Sequence, residues 1–250
     1  MKLNRKTTTF TLSALSRFLT LLPVALIFLA SCSSPCISGD GKVKEDRRAI
    51  DLFKFIELNA SADLYLSQNS EPTMLTVRAD GNIIEKLNIG VEGDVLKIDM
   101  DGCFINRGPV EIFVNTNRIE GLTIRGSGNI YSETNLLGAR LDLKISGSGD
   151  MNLESTHQFV RAEIKGSGDI HISGKTNRLE TEIKGSGDIK AANLTAKSAN
   201  VSISGSGDTF VNATEYLEAT IKGSGDIKYS GNPTNKEIKI KGSGSVTEAD

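Results

Sequence analysis

"IKGSGDI" fills residues 164–170, 183–189 and 221–227, and its reading decides the fold. A Gly-rich turn followed by an acid is either a cradle for an ion or phosphate, or a corner that the chain uses repeatedly. The wider pattern favours the corner. Gly-Ser-Gly begins at 126, 147, 166, 185, 205, 223 and 242, at intervals of 21, 19, 19, 20, 18 and 19. Self-similarity at about nineteen residues marks units too small to bury a core alone, which must stack and share one.

Two places before each first Gly stands an Ile: Ile124, Ile145, Ile164, Ile183, Ile203, Ile221 and Ile240. Two places earlier again stand Leu122, Leu143, Ala162, Thr181, Val201, Ala219 and Ile238. Small or aliphatic residues at alternate positions mark the buried face of a strand, because successive side chains point to opposite sides. The outward positions before the corner read Thr, Glu, Lys and Arg. Beyond it the pattern resumes with Ile130, Met151, Ile170, Ile189, Thr209, Ile227 and Val246. The unit thus reads as strand, corner, strand and a variable loop such as "SGKTNRLE" (173–180). Stacked edge to edge at about 4.8 Å, such units predict an all-β protein. The architecture expected over 121–250 is a parallel β-helix or solenoid, right-handed, of about 19-residue coils.

A degenerate copy lies earlier, in "LNASADLYL" (58–66), where Leu58 and Leu64 replace the two Ile, and Ala60 and Ala62 replace the glycines. Between Gln68 and Asn117 the runs "TMLTVRA", "LNIGV", "DVLKIDM" and "VEIFVN" are separated by Asp-Gly and Gly-Asp turn signals, typical of antiparallel hairpins. Residues 46–120 are therefore expected to form an N-terminal β-rich section that is inserted into, or caps, the first coils; as a cap it would also cover the exposed edge of the stack. The chain has no Trp, 5% aromatics and 25 Gly in 250 residues, which suits many short strands around an aliphatic core.

Residues 1–31 read as an export signal. Lys2, Arg5, Lys6 and Arg17 carry its charges, and Phe18 to Ala30 is an uncharged run too short to span a bilayer unaided. It ends in Leu29-Ala30-Ser31-Cys32, which resembles a bacterial lipobox, so Cys32 is expected to be the lipidated first residue of the mature protein. Acyl chains at about 0.8 kcal/mol per buried CH₂, palmitate among them, would anchor it without a membrane-spanning helix. The signal removes four of 29 basic residues and none of the 31 acids, leaving a net charge of −6 and a poor nucleic-acid binder. Residues 32–45 read as a polar, flexible tether.

Lipidation of Cys32 leaves Cys36 and Cys103, in a compartment where disulfides persist. A bridge between them is the preferred reading, and would be worth roughly 4 kcal/mol in the chain-entropy model. Two free thiols or a metal pair are the alternatives, the latter weak without a third ligand.

The lipobox, the Cys36 and Cys103 pair, the opening "FKFIELNASADLYLSQ" (53–68) and the serial "GSGD" turns together resemble the auto-transporter adhesin family with a head GIN domain. The resemblance runs from about Asp46 to the C-terminus. It implies a β-helical, exported lipoprotein with an adhesive role, and carries over no catalytic residue.

The acids of the motif, Asn129 being the amide exception, form a column: Asp150, Asp169, Asp188, Asp208 and Asp226, with Ser245 last. Carboxylates so spaced could hold Ca²⁺ between coils, yet one acid per nineteen residues is thin for a cation wanting six to eight oxygens. Phosphate is weaker still, since no P-loop Lys or helix follows. The favoured reading assigns Gly166, Ser167, Gly168 and Asp169, Gly185, Ser186, Gly187 and Asp188, and Gly223, Ser224, Gly225 and Asp226 to turns. In these, Gly supplies positive φ or close backbone approach, and Ser and Asp accept local hydrogen bonds. Lys165, Lys184, Lys222 and Lys241, outward before the corner, would offset the acids beyond it.

No metal site or cofactor is expected. His157 and His171 match no ligand spacing and read as solvated surface residues. Acids recurring in every coil signal architecture, whereas a catalytic set would be asymmetric, so no enzyme is expected. Glycan binding meets a shortage of stacking residues, with no Trp and four Tyr. The leading expectation is a lipid-anchored protein of the cell outer membrane, facing the surface, whose solenoid binds a protein or glycan ligand. The rival is a periplasmic structural or envelope-assembly protein, with a polysaccharide-degrading β-helix third. Oligomeric state is not legible in the sequence.

Overall fold

The structure is a computed structural model describing residues 36–100, 102–105 and 108–249. The expected signal and Cys32 lie outside the described residues. From Ile37 onward the chain forms one compact unit that is nearly all strand: a β-solenoid with an antiparallel N-terminal section.

The Ile column exists as read. Ile124 pairs with Ile145, then Ile164, Ile183, Ile203, Ile221 and Ile240, always in parallel register. All but the last are fully buried. A second column runs from Ile130 through Met151, Ile170, Ile189, Thr209 and Ile227 to Val246. Each fully buried aliphatic side chain contributes about 1.5–3 kcal/mol relative to exposure, and one repeated position supplies this once per coil.

The units differ from expectation in one respect. "SGKTNRLE" is not a loop, because a single bent strand runs from Ile170 to Ile183, as do Met151–Ile164, Ile189–Ile203 and Thr209–Ile221. Parallel pairing to the coils on both sides holds most of the bend in the ladder, so most of its backbone groups are satisfied within the sheet.

The order of stacking is not the order of the chain. The degenerate copy, Phe55–Asn59 and Asp63–Gln68, lies between the coil of Gly121–Ser132 and a coil formed by Val95–Met100 and Glu111–Thr116. Leu58 therefore sits between Ile124 and Ile98, and Leu64 between Ile130 and Ile112. That outermost coil is capped by antiparallel partners, Leu87–Glu92 on Val95–Met100 and Met74–Asp80 on Glu111–Thr116. The hairpin at Gly93, with φ of +62°, is the Gly-Asp turn read from the sequence. Asp80-Gly81 instead enters a short helix, Gly81–Ile84.

Part of the expected tether is ordered. Cys36 and Cys103 are disulfide-bonded, Ile37–Ser38 pairs with Phe104–Ile105, and Val43–Ala49 forms an antiparallel edge on Met74–Asp80. That edge reads "VKEDRRA", and its charges deter further strand addition.

The other end of the stack is finished differently. Lys236 takes the inward position above Leu217, and Glu248 the one above Tyr229. Lys236 Nζ lies 3.2 Å from the Tyr229 hydroxyl and 3.7 Å from Glu248, and Tyr229 donates to Glu248 at 3.0 Å. Two aliphatic columns thus end in a charged pair.

The corner glycines are explained by space. None of them has positive φ; a Cβ at Gly147, Gly166, Gly185 or Gly205 would lie 1.8–1.9 Å from the carbonyl oxygen of the corresponding Gly in the preceding coil. Ala60 and Ala62 are tolerated because their coil rests on one with no Gly-Ser-Gly corner. Replacing Gly187 by Val, whose Cβ would meet the Gly168 oxygen at 2.0 Å, is expected to cost about 3 kcal/mol or more in thermal unfolding followed by circular dichroism. Gly90→Ala, whose Cβ meets nothing within 4 Å, is expected to stay within about 0.5 kcal/mol.

Candidate functional site

The Asp of the motif is part of the frame. Asp150 Oδ1 accepts the backbone N–H of Asp169 at 2.8 Å, Asp169 that of Asp188, Asp188 that of Asp208, Asp208 that of Asp226, and Asp226 that of Ser245. Asn129 begins the series on Asp150. These bonds join consecutive coils, where the sequence suggested local Asx turns. The Ser residues contribute backbone N–H groups, Ser167 to the Gly147 oxygen and Ser186 to that of Gly166, both at 3.0 Å. Nor do the corner lysines meet the acids: Lys165 pairs with Glu163 and Lys184 with Glu182, both at 2.7 Å. It is Lys190 that reaches Asp169, at 2.7 Å. Burial pushes the Asp169 carboxyl up, but the bonds from Lys190 and the Asp188 N–H outweigh it and hold the group below its ordinary pKa.

His157 is not a surface residue. It is 3% exposed, its Nδ1 lies 2.8 Å from Ser155 Oγ, and its ring fills the space left by Gly138, where a Cβ would stand 2.8 Å from Nε2. Burial pushes its pKa down, with the Ile119 backbone opposing only in part. His171, by contrast, is exposed.

It lies in the feature that the sequence reading missed. The outward position immediately after the second apolar column stacks as Phe113, Tyr65, Tyr131, Asn152, His171, Lys190, Phe210, Lys228 and Thr247. Phe113, Tyr65 and Tyr131 form a stacked ladder, with centroids 5.0 and 5.3 Å apart. Lys228 Nζ lies 5.6 Å from the Phe210 ring centre. The signal was available: aligned on the first Gly, this is the fifth position after it, and reading the outward residues beyond the corner would have exposed it. Four coils contribute to a hollow of about 410 Å³ on this stripe, walled by Phe210, Asn152, Asn193, His171 and Lys190. A larger hollow of about 620 Å³ lies at the bend near His157, lined with Thr156, Thr195, Thr214, Lys175 and Lys197.

Two outcomes test this account. Asp188→Ala is expected to cost about 1–3 kcal/mol, because the Asp208 N–H loses its acceptor, whereas Asp188→Asn keeps an acceptor and most of the stability. Melting temperatures of both with and without a chelator should be the same if the column acts through these bonds. For His157, the unfolded chain binds the proton more readily, so stability is full above the ordinary value of 6.5 and falls as pH drops through it until the buried ring titrates. The wild-type melting temperature should decline between pH 7 and 5 more steeply than that of His157→Gln.

Comparison with known proteins agrees with this fold. The family model described as "Putative auto-transporter adhesin, head GIN domain" matches residues 52–233. A crystal structure of a putative adhesin from Bacteroides fragilis superposes with a TM-score of 0.83 at 27% identity, covering 85% of this chain and 100% of that one. A putative lipid binding protein from Parabacteroides distasonis gives 0.69 at 28% identity, with 86% and 99% covered. A putative adhesin from the same organism gives 0.70 at 26%, with 85% and 99% covered. Among curated proteins, none matches. The repeated corner, the double aliphatic column and the family match over most of the chain make it a member of the auto-transporter adhesin family with the head GIN domain.

Proposed function

We propose that the protein is a lipid-anchored adhesin of the outer membrane, facing the cell surface, which binds a protein or glycan without catalysing a reaction. The observation that carries this reading is the family match over residues 52–233, together with its similarity to proteins described as putative adhesins. The lipobox ending at Cys32 supports the anchor, and a lipid tether holds a domain at a membrane while leaving its faces free. The non-catalytic reading draws support from the Asp column, whose members spend an oxygen on the next coil's backbone. The inward columns are filled with aliphatic side chains at or near zero exposure, which favours a ligand on the outer faces, including for the lipid chemistry that one relative's description suggests.

Three measurements test it. Metabolic labelling with palmitate should mark the wild type and not Cys32→Ala. Protease treatment of intact cells should degrade the protein; complete protection would place it in the periplasm. Beads coated with the protein should adhere to epithelial cells or extracellular matrix above beads coated with an unrelated lipoprotein, and equal adherence would remove the adhesive role.

A further inference from the structure

We infer that the 410 Å³ hollow on the outward stripe is a binding site for a neutral oligosaccharide, running along the stack with successive sugars on successive coils; this rests on the adhesin reading and names the ligand class. The repeat breaks at this place. The parallel register shifts between His171 and Gly174, and again between Ala191 and Thr195 in the next pair of strands. The cause is visible in the spacing, since the interval of 20 between the corners at 185 and 205 is followed by one of 18. Bulges re-aim side chains and are enriched beside binding sites. Here Asn193 lies within the irregular segment and lines the hollow. In a scaffold of near-identical coils, such asymmetry is where a specific site belongs.

Phe210 offers an aromatic surface to the apolar face of a pyranose, and the side chains of Asn152, Asn193 and His171 offer donors and acceptors to its hydroxyls. A hollow with an apolar wall and a few convergent polar groups is the usual form of a small-ligand site, and 410 Å³ falls inside its range of about 300–1,000 Å³.

The charges beside the hollow favour neutral over acidic sugars. Lys190, the ammonium in the hollow, is held by Asp169 at 2.7 Å and lies 3.7 Å from Asp188. Its charge is answered from within the protein, so an incoming carboxylate or sulfate would compete with two carboxylates for the one ammonium that lines the hollow. A neutral hydroxyl instead accepts from Lys190 without displacing either acid.

Coils recur at the inter-strand spacing of about 4.8 Å, close to the length of one pyranose ring in an extended chain. A glycan lying along the axis therefore meets Asn152, His171, Lys190, Phe210 and Lys228 in turn, one side chain per coil.

The test is calorimetric titration of the full-length lipoprotein, in a detergent without a sugar headgroup. Titrants are hexasaccharides of β-1,4-glucose, α-1,4-glucose, β-1,4-mannose and β-1,4-xylose, with polygalacturonate and heparin as polyanions. At least one neutral hexasaccharide should bind, with affinity falling at least tenfold in Phe210→Ala and in Asn193→Ala and unchanged in Phe159→Ala, which lies in a different outward column. Melting curves check that each variant is folded, and should Phe210→Ala fail to fold, Asn193→Ala and His171→Ala decide. Binding of no neutral hexasaccharide, of polyanions alone, or binding indifferent to the substitutions in the hollow would overturn the site. The bead assay separates this from the adhesin reading. Adherence that survives Phe210→Ala undiminished counts against the site and leaves the adhesin intact; hexasaccharide binding without adherence does the reverse.

Discussion

The structure depends on how closely the backbone of one coil approaches that of the next at the Gly-Ser-Gly corner. A carbonyl oxygen of the preceding coil lies where a Cβ would begin, so glycine is required by proximity and not by an unusual φ. The same oxygen accepts the N–H of the Ser that follows the first Gly, as Gly147 does for Ser167. Close approach and hydrogen bond are thus one contact, repeated up the stack. It fixes register in a parallel sheet, where a slip of one residue would turn every Ile outward. The Asp bond from coil to coil is a second clamp beside the first, and between them the corner leaves the aliphatic columns no freedom to slide.

A stack held this way has no intrinsic end, and the chain closes its two ends by different means. At one, a permuted coil and its antiparallel partners turn the parallel ladder outward into charged Val43–Ala49, and the Cys36–Cys103 bridge fastens the segment leading in. At the other, Ile238 and Ile240 remain 44% and 46% exposed, but the flanking columns finish in Lys236 and Glu248. A further coil stacked there would bury both charges, a cost that favours termination.

The repeat made the solenoid legible because a fixed period, a two-residue alternation and an invariant Gly each report a different constraint, and all three agreed. Other features escaped. The bend at "SGKTNRLE" looked like a loop because its polar residues, buried Thr176 excepted, lie on a strand whose partners are nineteen or twenty residues away, beyond any local pattern. His157 looked solvated because its burial depends on Gly138 in the coil beneath, a vacancy only three dimensions reveal. The permuted stacking of 95–116 outside 55–68 is a matter of long-range pairing, and nothing in local propensity encodes it. The disulfide between Cys36 and Cys103, in contrast, agrees with the preferred of three readings that cysteine count left open.

The aromatic and polar stripe was hidden for a different reason. Its residues vary from coil to coil, and a search for repetition discards variation as noise. Architecture must recur, since each coil solves the same packing problem; recognition must not, since identical coils would present a ligand with the same contact at every register and hold it at none. The Ile columns and the Gly corners are therefore the positions least informative about binding. The outward column that reads Tyr131, Asn152, His171, Lys190, Phe210 and Lys228 sits on the same rigid ladder, yet it is free to differ because its side chains point away from the core. The register shifts beside Asn193 show the frame itself giving way there, and again between Ala196 and Ser198, while Leu194 and Ala196 stay in the core.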